Sequence, residues 1–434
     1  MRFIGFPIVL IAFLVCPALA KSEPLYADFD AFRQAVLGLA RIDDETERAD
    51  AVDAFWDGLV AAEQVPYRQG DEVAWLHRSS ETVAFAGDFN RWNPERGAAT
   101  RIPGTDLWVF DEQLPEDARV EYKVVQNGNW ILDPANPHRQ WSGFGPNSEL
   151  RMPAYVAPAE TTRGPGVPRG SVSPNILLNS DALGSEVNVR VYTPAGYDAG
   201  DALPVVYFTD GHEYLEDRLG AATAVLDNMI HSDSLRPTMA VFIDTRDPQT
   251  GANRRLDQMA GDQRTAFASF VADELVAYID ANFGTAAEPG QRTLMGTSVG
   301  GLFAAYMGTR HSDVFGNLAI QSPSLWLEPE LVNAYRDRPE LAEALRVYLS
   351  VGTINDNEDD AAFFSGLLDD GDYDFRFDRV NQGHAWGHWR GKVDDALMFA
   401  VGGRPIPEPN AAAGLVGFTL LTTARGHRQW GLRR

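Results

Sequence analysis

An α/β fold is predicted for most of this chain: a doubly wound, mostly parallel sheet over residues 175–402, preceded by a small β-sandwich over residues 65–155. Two observations carry the prediction. In the second half, short apolar runs alternate with helical stretches, as buried parallel strands and their crossover helices do. In the first half, strand-like runs crowd between Gly, Pro, Asn and Asp, as in an antiparallel sandwich.

Before the sandwich come two other segments. Met1 to Ala20 reads as a signal peptide, with Arg2 as its charge, an apolar run from Phe3 to Val15, and Ala18-Leu19-Ala20 as cleavage site. The apolar run is short for a bilayer span. Export to the periplasm, cell surface or medium is the expectation. Cys16, the only cysteine, lies in this segment, so a mature chain would have no disulfide and no thiol nucleophile. Residues 21–64 read as helical, because Phe29, Phe32, Val36, Leu37, Val52, Phe55 and Leu59 recur at three- and four-residue spacing. Asp43 and Asp44 mark the break between two helices.

The sandwich strands are expected at Val73–Leu76, Val83–Phe85, Leu107–Phe110 and Val120–Val125. Residues 156–174, rich in Pro and Gly, read as a linker. The later sheet is expected at Val205–Phe208, Ala240–Ile243, Thr293–Met295, Leu318–Ile320 and Val347–Val351, with a last strand at Phe375–Val380. Helices fall near 215–231, 264–282, 300–310 and 389–400. The chain carries a formal charge of −24, and its only lysines are Lys21, Lys123 and Lys392. An acidic surface repels phosphate backbones, which argues against nucleic acid as a partner.

Gly296-Thr297-Ser298-Val299-Gly300-Gly301 holds the pattern G-x-S-x-G between a strand and a helix. In an α/β-hydrolase that context sets the serine on a tight turn at the carboxyl edge of the sheet, where it can act as nucleophile. The N–H of Val299, at the helix start, can face a developing oxyanion. A serine needs a base. The order serine, acid, histidine expected of such a fold leaves His384 and His388, and Gly383-His384-Ala385-Trp386 opens a loop directly after a strand, favouring His384. The acid should follow Val347–Val351, where Asp356 lies; Glu358, Asp359 and Asp360 leave open a merely solvated acidic run. A second oxyanion donor is expected in the turn Asp210-Gly211-His212, from Gly211 or His212. No cofactor or metal is called for, and the histidine spacing offers no zinc motif.

These motifs resemble the esterase family that includes feruloyl, acetyl and enterochelin esterases. Further matches are Val191-Tyr192-Thr193-Pro194, Gln321-Ser322-Pro323-Ser324 with Trp326, and Trp386 with Trp389. The resemblance implies Ser298, Asp356 and His384 as a triad, and Trp326, Trp386 and Asp257 as substrate contacts. Two departures stand out: many relatives have His-Gly-Gly where this chain has Asp210-Gly211-His212, and enterochelin esterases tend to place a glutamate near Asp257. The β-module resembles early-set, immunoglobulin-like domains of glycogen-binding proteins through Gly87-Asp88-Phe89-Asn90-Arg91-Trp92 and Asn127-Gly128-Asn129-Trp130. That likeness implies sugar contacts at Trp92, Lys123, Trp130 and Asn147. Residues 403–434, with Pro407-Glu408-Pro409, an apolar stretch and terminal arginines, resemble a PEP-CTERM sorting signal, which implies a sorting protease as partner.

Together these readings predict an exported serine carboxylic ester hydrolase acting on acyl or hydroxycinnamoyl esters of carbohydrates. A catecholate siderophore lactone is the alternative substrate. An inactive, surface-held glycan-binding protein is the alternative of another class.

Overall fold

The computed structural model describes residues 24–402, so both processing signals read from the sequence lie outside the described residues. Asp28 caps the helix Phe29–Leu39 by accepting from the Ala31 N–H at 2.7 Å, and Asp44 caps Glu45–Ala61 through the Glu47 N–H at 2.9 Å. Phe29, Phe32, Val36, Val52 and Leu59 pack against Tyr67, Ala74, Leu76, Leu107 and Val109 of the first β-sheet. The helical segment is therefore built into the β-module.

That module is two antiparallel sheets. One orders Tyr67–Gln69, Glu72–Arg78, Leu107–Gln113 and Thr100–Arg101. The other orders Val83–Gly87, Arg119–Gln126, Gly145–Arg151 and Arg139–Ser142, with Asn129–Ile131 also paired to Arg119–Gln126. Along Glu72–Arg78, Ala74 and Leu76 face the helices while Val73 and Trp75 face the second sheet with Phe85, Val120 and Tyr122. Both faces of this strand are buried, which explains its unbroken apolar run.

Residues 156–174 do not hang free. Arg163 pairs with Asp227 at 2.8 Å, the Gly164 N–H donates to Asn228 Oδ1 at 2.9 Å, and Asn228 Nδ2 donates to the carbonyls of Glu160 and Thr162. The segment is strapped to the helix Ala222–His231, and Ser171–Val172 joins the edge of the large sheet.

Among the described residues the large sheet has nine strands. An antiparallel edge of Ser171–Val172, Ile176–Ser180 and Ser185–Thr193 leads into six parallel strands, ordered Met239–Asp244, Val205–Phe208, Arg292–Thr297, Asn317–Gln321, Arg346–Gly352 and Asp374–Val380. Val205 and Tyr207 enter the core on one face, and Val206 and Phe208 enter the core on the other. Strand order reverses around Val205–Phe208, so a crevice opens outside the carboxyl ends of that strand and Arg292–Thr297. The predicted helix near 215–231 is two, Gly211–Leu215 and Ala222–His231. The acidic run after Asp356 starts the unforeseen helix Glu358–Asp370, where carboxylates in the first turn suit the helix dipole.

Candidate active site

The strand Arg292–Thr297 delivers Ser298 to the crevice, and the helix Val299–Arg310 leaves from it. Ser298 has φ 59° and ψ −117°, a region that non-glycine residues rarely occupy. Its N–H donates to the Gln321 carbonyl at 2.9 Å, and its own carbonyl accepts from Ser324 at 3.0 Å and Leu302 at 3.1 Å. Those bonds hold the turn in its strained form. A Cβ on Gly296 would lie 2.2 Å from the Gly300 carbonyl oxygen, and one on Gly300 would lie 2.4 Å from Thr209 Oγ1. Glycine is required at both places by close approach.

His384 reaches the serine from the far side of the chain. Its Nε2 is 2.9 Å from Ser298 Oγ, and its Nδ1 is 2.6 Å from Asp356 Oδ1. Asp356 also accepts from the Gly352 N–H at 2.8 Å, the Asn357 N–H at 2.7 Å and the Ser322 hydroxyl at 2.6 Å. Burial alone would raise this carboxyl, but the hydrogen bond and charge of His384, helped by His388 and Ser322, hold it at about 2. A carboxylate ionised at neutral pH can fix the imidazole tautomer and stabilise its cation.

His388 lies behind this line, fully buried, with Nδ1 3.7 Å from Asp356 Oδ2 and 3.4 Å from Ser322 Oγ. Burial pushes it down to about 4 despite the nearby carboxylate, so it is neutral near pH 7. Trp389 donates its indole N–H to Ser322 Oγ at 2.9 Å and sets its ring edge-on to His384. Nothing in the sequence assigns Ser322 a role of its own, although Ser322-Pro323-Ser324 follows the strand Asn317–Gln321 immediately and so reaches the crevice.

Across the crevice, Asp210 is fully buried with φ 49° and starts the short helix Gly211–Leu215. Arg255 grips its carboxylate, and the same guanidinium bonds the carbonyl of Thr297. Arg255 is the second residue that the sequence did not single out. Val299 and Gly211 each stand first in a helix, where an N–H has no intrahelical acceptor. The His212 ring is a quarter exposed, 3.4 Å from an Asp244 carboxylate that Arg246 also holds, and burial lowers its basicity.

The expected substrate contacts separate. Trp326 is 59% exposed, two residues beyond Ser324, whose Oγ is 3.2 Å from Ser298 Oγ. Trp386 is only 3% exposed and packs edge-on between Tyr214 and Trp389, so it belongs to the core and not to a substrate-facing wall. Asp257 is exposed on the helix Arg255–Ala260, and its neighbour Arg255 makes the contacts to the site. In the β-module, Trp92 and Trp130 stack at 6.4 Å with Trp130 outward, and Lys123 is half-buried. Asn147 is buried and gives its amide to Glu121 at 2.8 Å, which withdraws it from any sugar. Trp92 gives its indole N–H to Asp88 at 3.0 Å.

Serine hydroxyl, imidazole and carboxylate thus form one hydrogen-bonded line at the open edge of the sheet. The family described as "Putative esterase" matches residues 180–400. The iron(III) enterobactin esterase of Dickeya dadantii is 24% identical over 399 residues, covering 79% of this chain and 87% of that protein. The endo-1,4-beta-xylanase/feruloyl esterase of Xylanibacter ruminicola is 22% identical over 245 residues, covering 54% of this chain and 33% of that protein. The crystal structure of the Shigella flexneri enterobactin esterase in the presence of enterobactin superposes with a TM-score of 0.61 at 22% identity, covering 75% of this chain and 92% of that one. The shared fold is that of the α/β-hydrolase-type esterases.

Proposed function

The chain belongs to this esterase family, and from that premise we propose that it is a serine carboxylic ester hydrolase working through an acyl-enzyme. The observation that carries the reading is the unbroken line from Ser298 through His384 to Asp356, at 2.9 and 2.6 Å. Ser298 Oγ attacks the ester carbonyl while His384 Nε2 takes its proton. Asp356 keeps Nδ1 protonated and balances the imidazolium. The tetrahedral oxyanion is received by the N–H of Val299 and an N–H of Gly211 or His212. The alcohol leaves with the proton from His384, and water repeats the sequence on the acyl-enzyme.

For substrate, we propose a catecholate siderophore ester of the enterobactin type. The support is coverage: the Dickeya dadantii enzyme matches 79% of this chain, too long a stretch to be the catalytic domain alone. The exposed ring of Trp326 beside the nucleophile suits a hydroxylated aromatic group. The second reading is an acyl or hydroxycinnamoyl ester on a glycan, and the outward Trp130 stacked on Trp92 is the observation in its favour. Export through residues 1–20, with sorting through residues 403–434, completes the proposal.

The test is turnover of a cyclic catecholate trilactone, methyl ferulate and an aryl acetate, with Ser298→Ala as control. Turnover of the trilactone well above methyl ferulate is expected. Preference for methyl ferulate would move the assignment to glycan esters, and no Ser298-dependent turnover of any ester would end the esterase reading.

A further inference from the structure

We propose that the β-module is a positioning part of the catalytic apparatus, with Ile354 and Asn355 locking the loop that carries Asp356. The inference rests on the triad reading above. It begins with an apolar residue in an unexpected core. Ile354, two positions before the acid, is 8% exposed and packs among Val73, Trp75, Phe85, Val120, Tyr122 and Leu150 of the sandwich. Every other buried member of that cluster lies between Val73 and Met152, so the catalytic domain drives one side chain into the interior of its neighbour.

Asn355 is the second anchor. It takes a left-handed φ of 53°, which asparagine tolerates better than most residues. Its Nδ2 donates to the carbonyls of Asp88 at 2.7 Å and Phe89 at 3.0 Å, and its Oδ1 accepts from Arg91 Nε at 3.1 Å. All three partners belong to the module. The next residue is Asp356.

The loop of the base is gripped from the same side. The Arg119 N–H donates to the Asn381 carbonyl at 3.0 Å, and Asn381 Nδ2 donates to Asp117 at 2.7 Å. A Cβ on Gly383, immediately before His384, would fall 2.3 Å from the Asp88 carboxyl carbon. Asp88 is in turn fixed by the Glu121 N–H at 2.8 Å and the Trp92 indole. Trp92, read from the sequence as a sugar platform, therefore serves the module's grip on both loops. Acid and base come from separate loops, and displacements near 1 Å in such a pair cost about 100-fold in rate.

The experiment uses the full chain and fluorophosphonate titration to count active sites. Asn355→Gly keeps the left-handed backbone and deletes all three hydrogen bonds. On an aryl acetate, kcat per site is expected to fall about 10- to 100-fold with KM within about twofold. In an Asp356→Asn background the same change should cost nothing further, because its effect runs through that carboxylate. Equal losses in both backgrounds, or an unchanged kcat in the native background, would overturn the proposal. Should Asn355→Gly not fold, Arg91→Ala removes one bond from an exposed side chain; a loss of about threefold confined to the Asp356 background supports the lock, and no loss overturns it. A native chain that takes no label and cleaves no ester would remove the esterase reading itself, whereas a labelled, active native chain with silent variants removes only the lock.

Discussion

Arg255 holds Asp210 with two arms, Nε at 2.6 Å and Nη2 at 2.9 Å, while Nη2 also donates to the Thr297 carbonyl at 2.9 Å. Asp210 opens the turn to Gly211 and His212, and Thr297 immediately precedes Ser298. One guanidinium thereby ties the turn that carries the proposed oxyanion donors to the strand that ends at Ser298. Arg255→Ala would leave a buried carboxylate unpaired and should cost about 3 kcal/mol, read as a lower urea midpoint at unchanged slope. Arg255→Lys keeps the charge without the fork and should fall between the two in midpoint.

Removal of the nucleophile is the bluntest expectation. Ser298→Ala should lower kcat by about 10⁶-fold and abolish fluorophosphonate labelling. Its circular dichroism should match that of the native chain. An active Ser298→Ala chain would place the nucleophile elsewhere, whereas a native chain that neither takes the label nor cleaves an ester would favour the inert-platform reading.

The acid and its support should grade in effect. Asp356→Asn leaves the imidazole in the wrong tautomer, with an expected loss of about 10⁴-fold in kcat. Ser322→Ala removes one 2.6 Å hydrogen bond to Asp356 Oδ2 but leaves the bonds from Gly352, Asn357 and His384, so about tenfold is expected. Steady-state kinetics on one aryl ester ranks the two, and a reversed order would relocate the acid.

His388 should leave a signature in stability against pH. Its folded value near 4 lies below the ordinary 6.5, so the unfolded chain binds more protons between these limits. The stability it contributes is complete above pH 6.5 and lost as pH falls to 4. Asp88 and Glu213, each raised to about 7 chiefly by burial, act in the opposite direction over much of the same range. They cancel in a difference. The gap in unfolding free energy between native and His388→Gln chains should narrow by about 3 kcal/mol from pH 7 to pH 4. A gap independent of pH would mean that the ring titrates alike in the folded and unfolded chains, so that burial does not shift it.

The hydrogen-bonded line of Ser298, His384 and Asp356 was legible because its members follow strands. A residue shortly after a parallel strand must appear near the carboxyl edge, so the G-x-S-x-G motif, the order expected of the fold and the family resemblance together single out Ser298, Asp356 and His384. The buried strands read equally well, since Val205–Phe208 is apolar at every position. Partners that meet only in space were not legible. Arg255 lies in a run of charges that looks solvent-facing until Asp210 is seen beneath it. The resemblance to glycogen-binding modules implies a sugar contact at Asn147, and nothing local reveals Glu121 as its partner. For Trp386 the family resemblance implies a substrate contact, yet its ring turns inward to Tyr214. That the linker 156–174 is held down by side-chain hydrogen bonds to Asp227 and Asn228 is something composition cannot foresee.

The pair of helices at the front of the chain sets a limit on how the protein can be shortened. Phe29, Phe32, Val36 and Leu59 roof the outer face of the first β-sheet, where Ala74, Leu76 and Val109 would otherwise meet water. A version trimmed to begin at the first strand would bare a contiguous oily surface and self-associate.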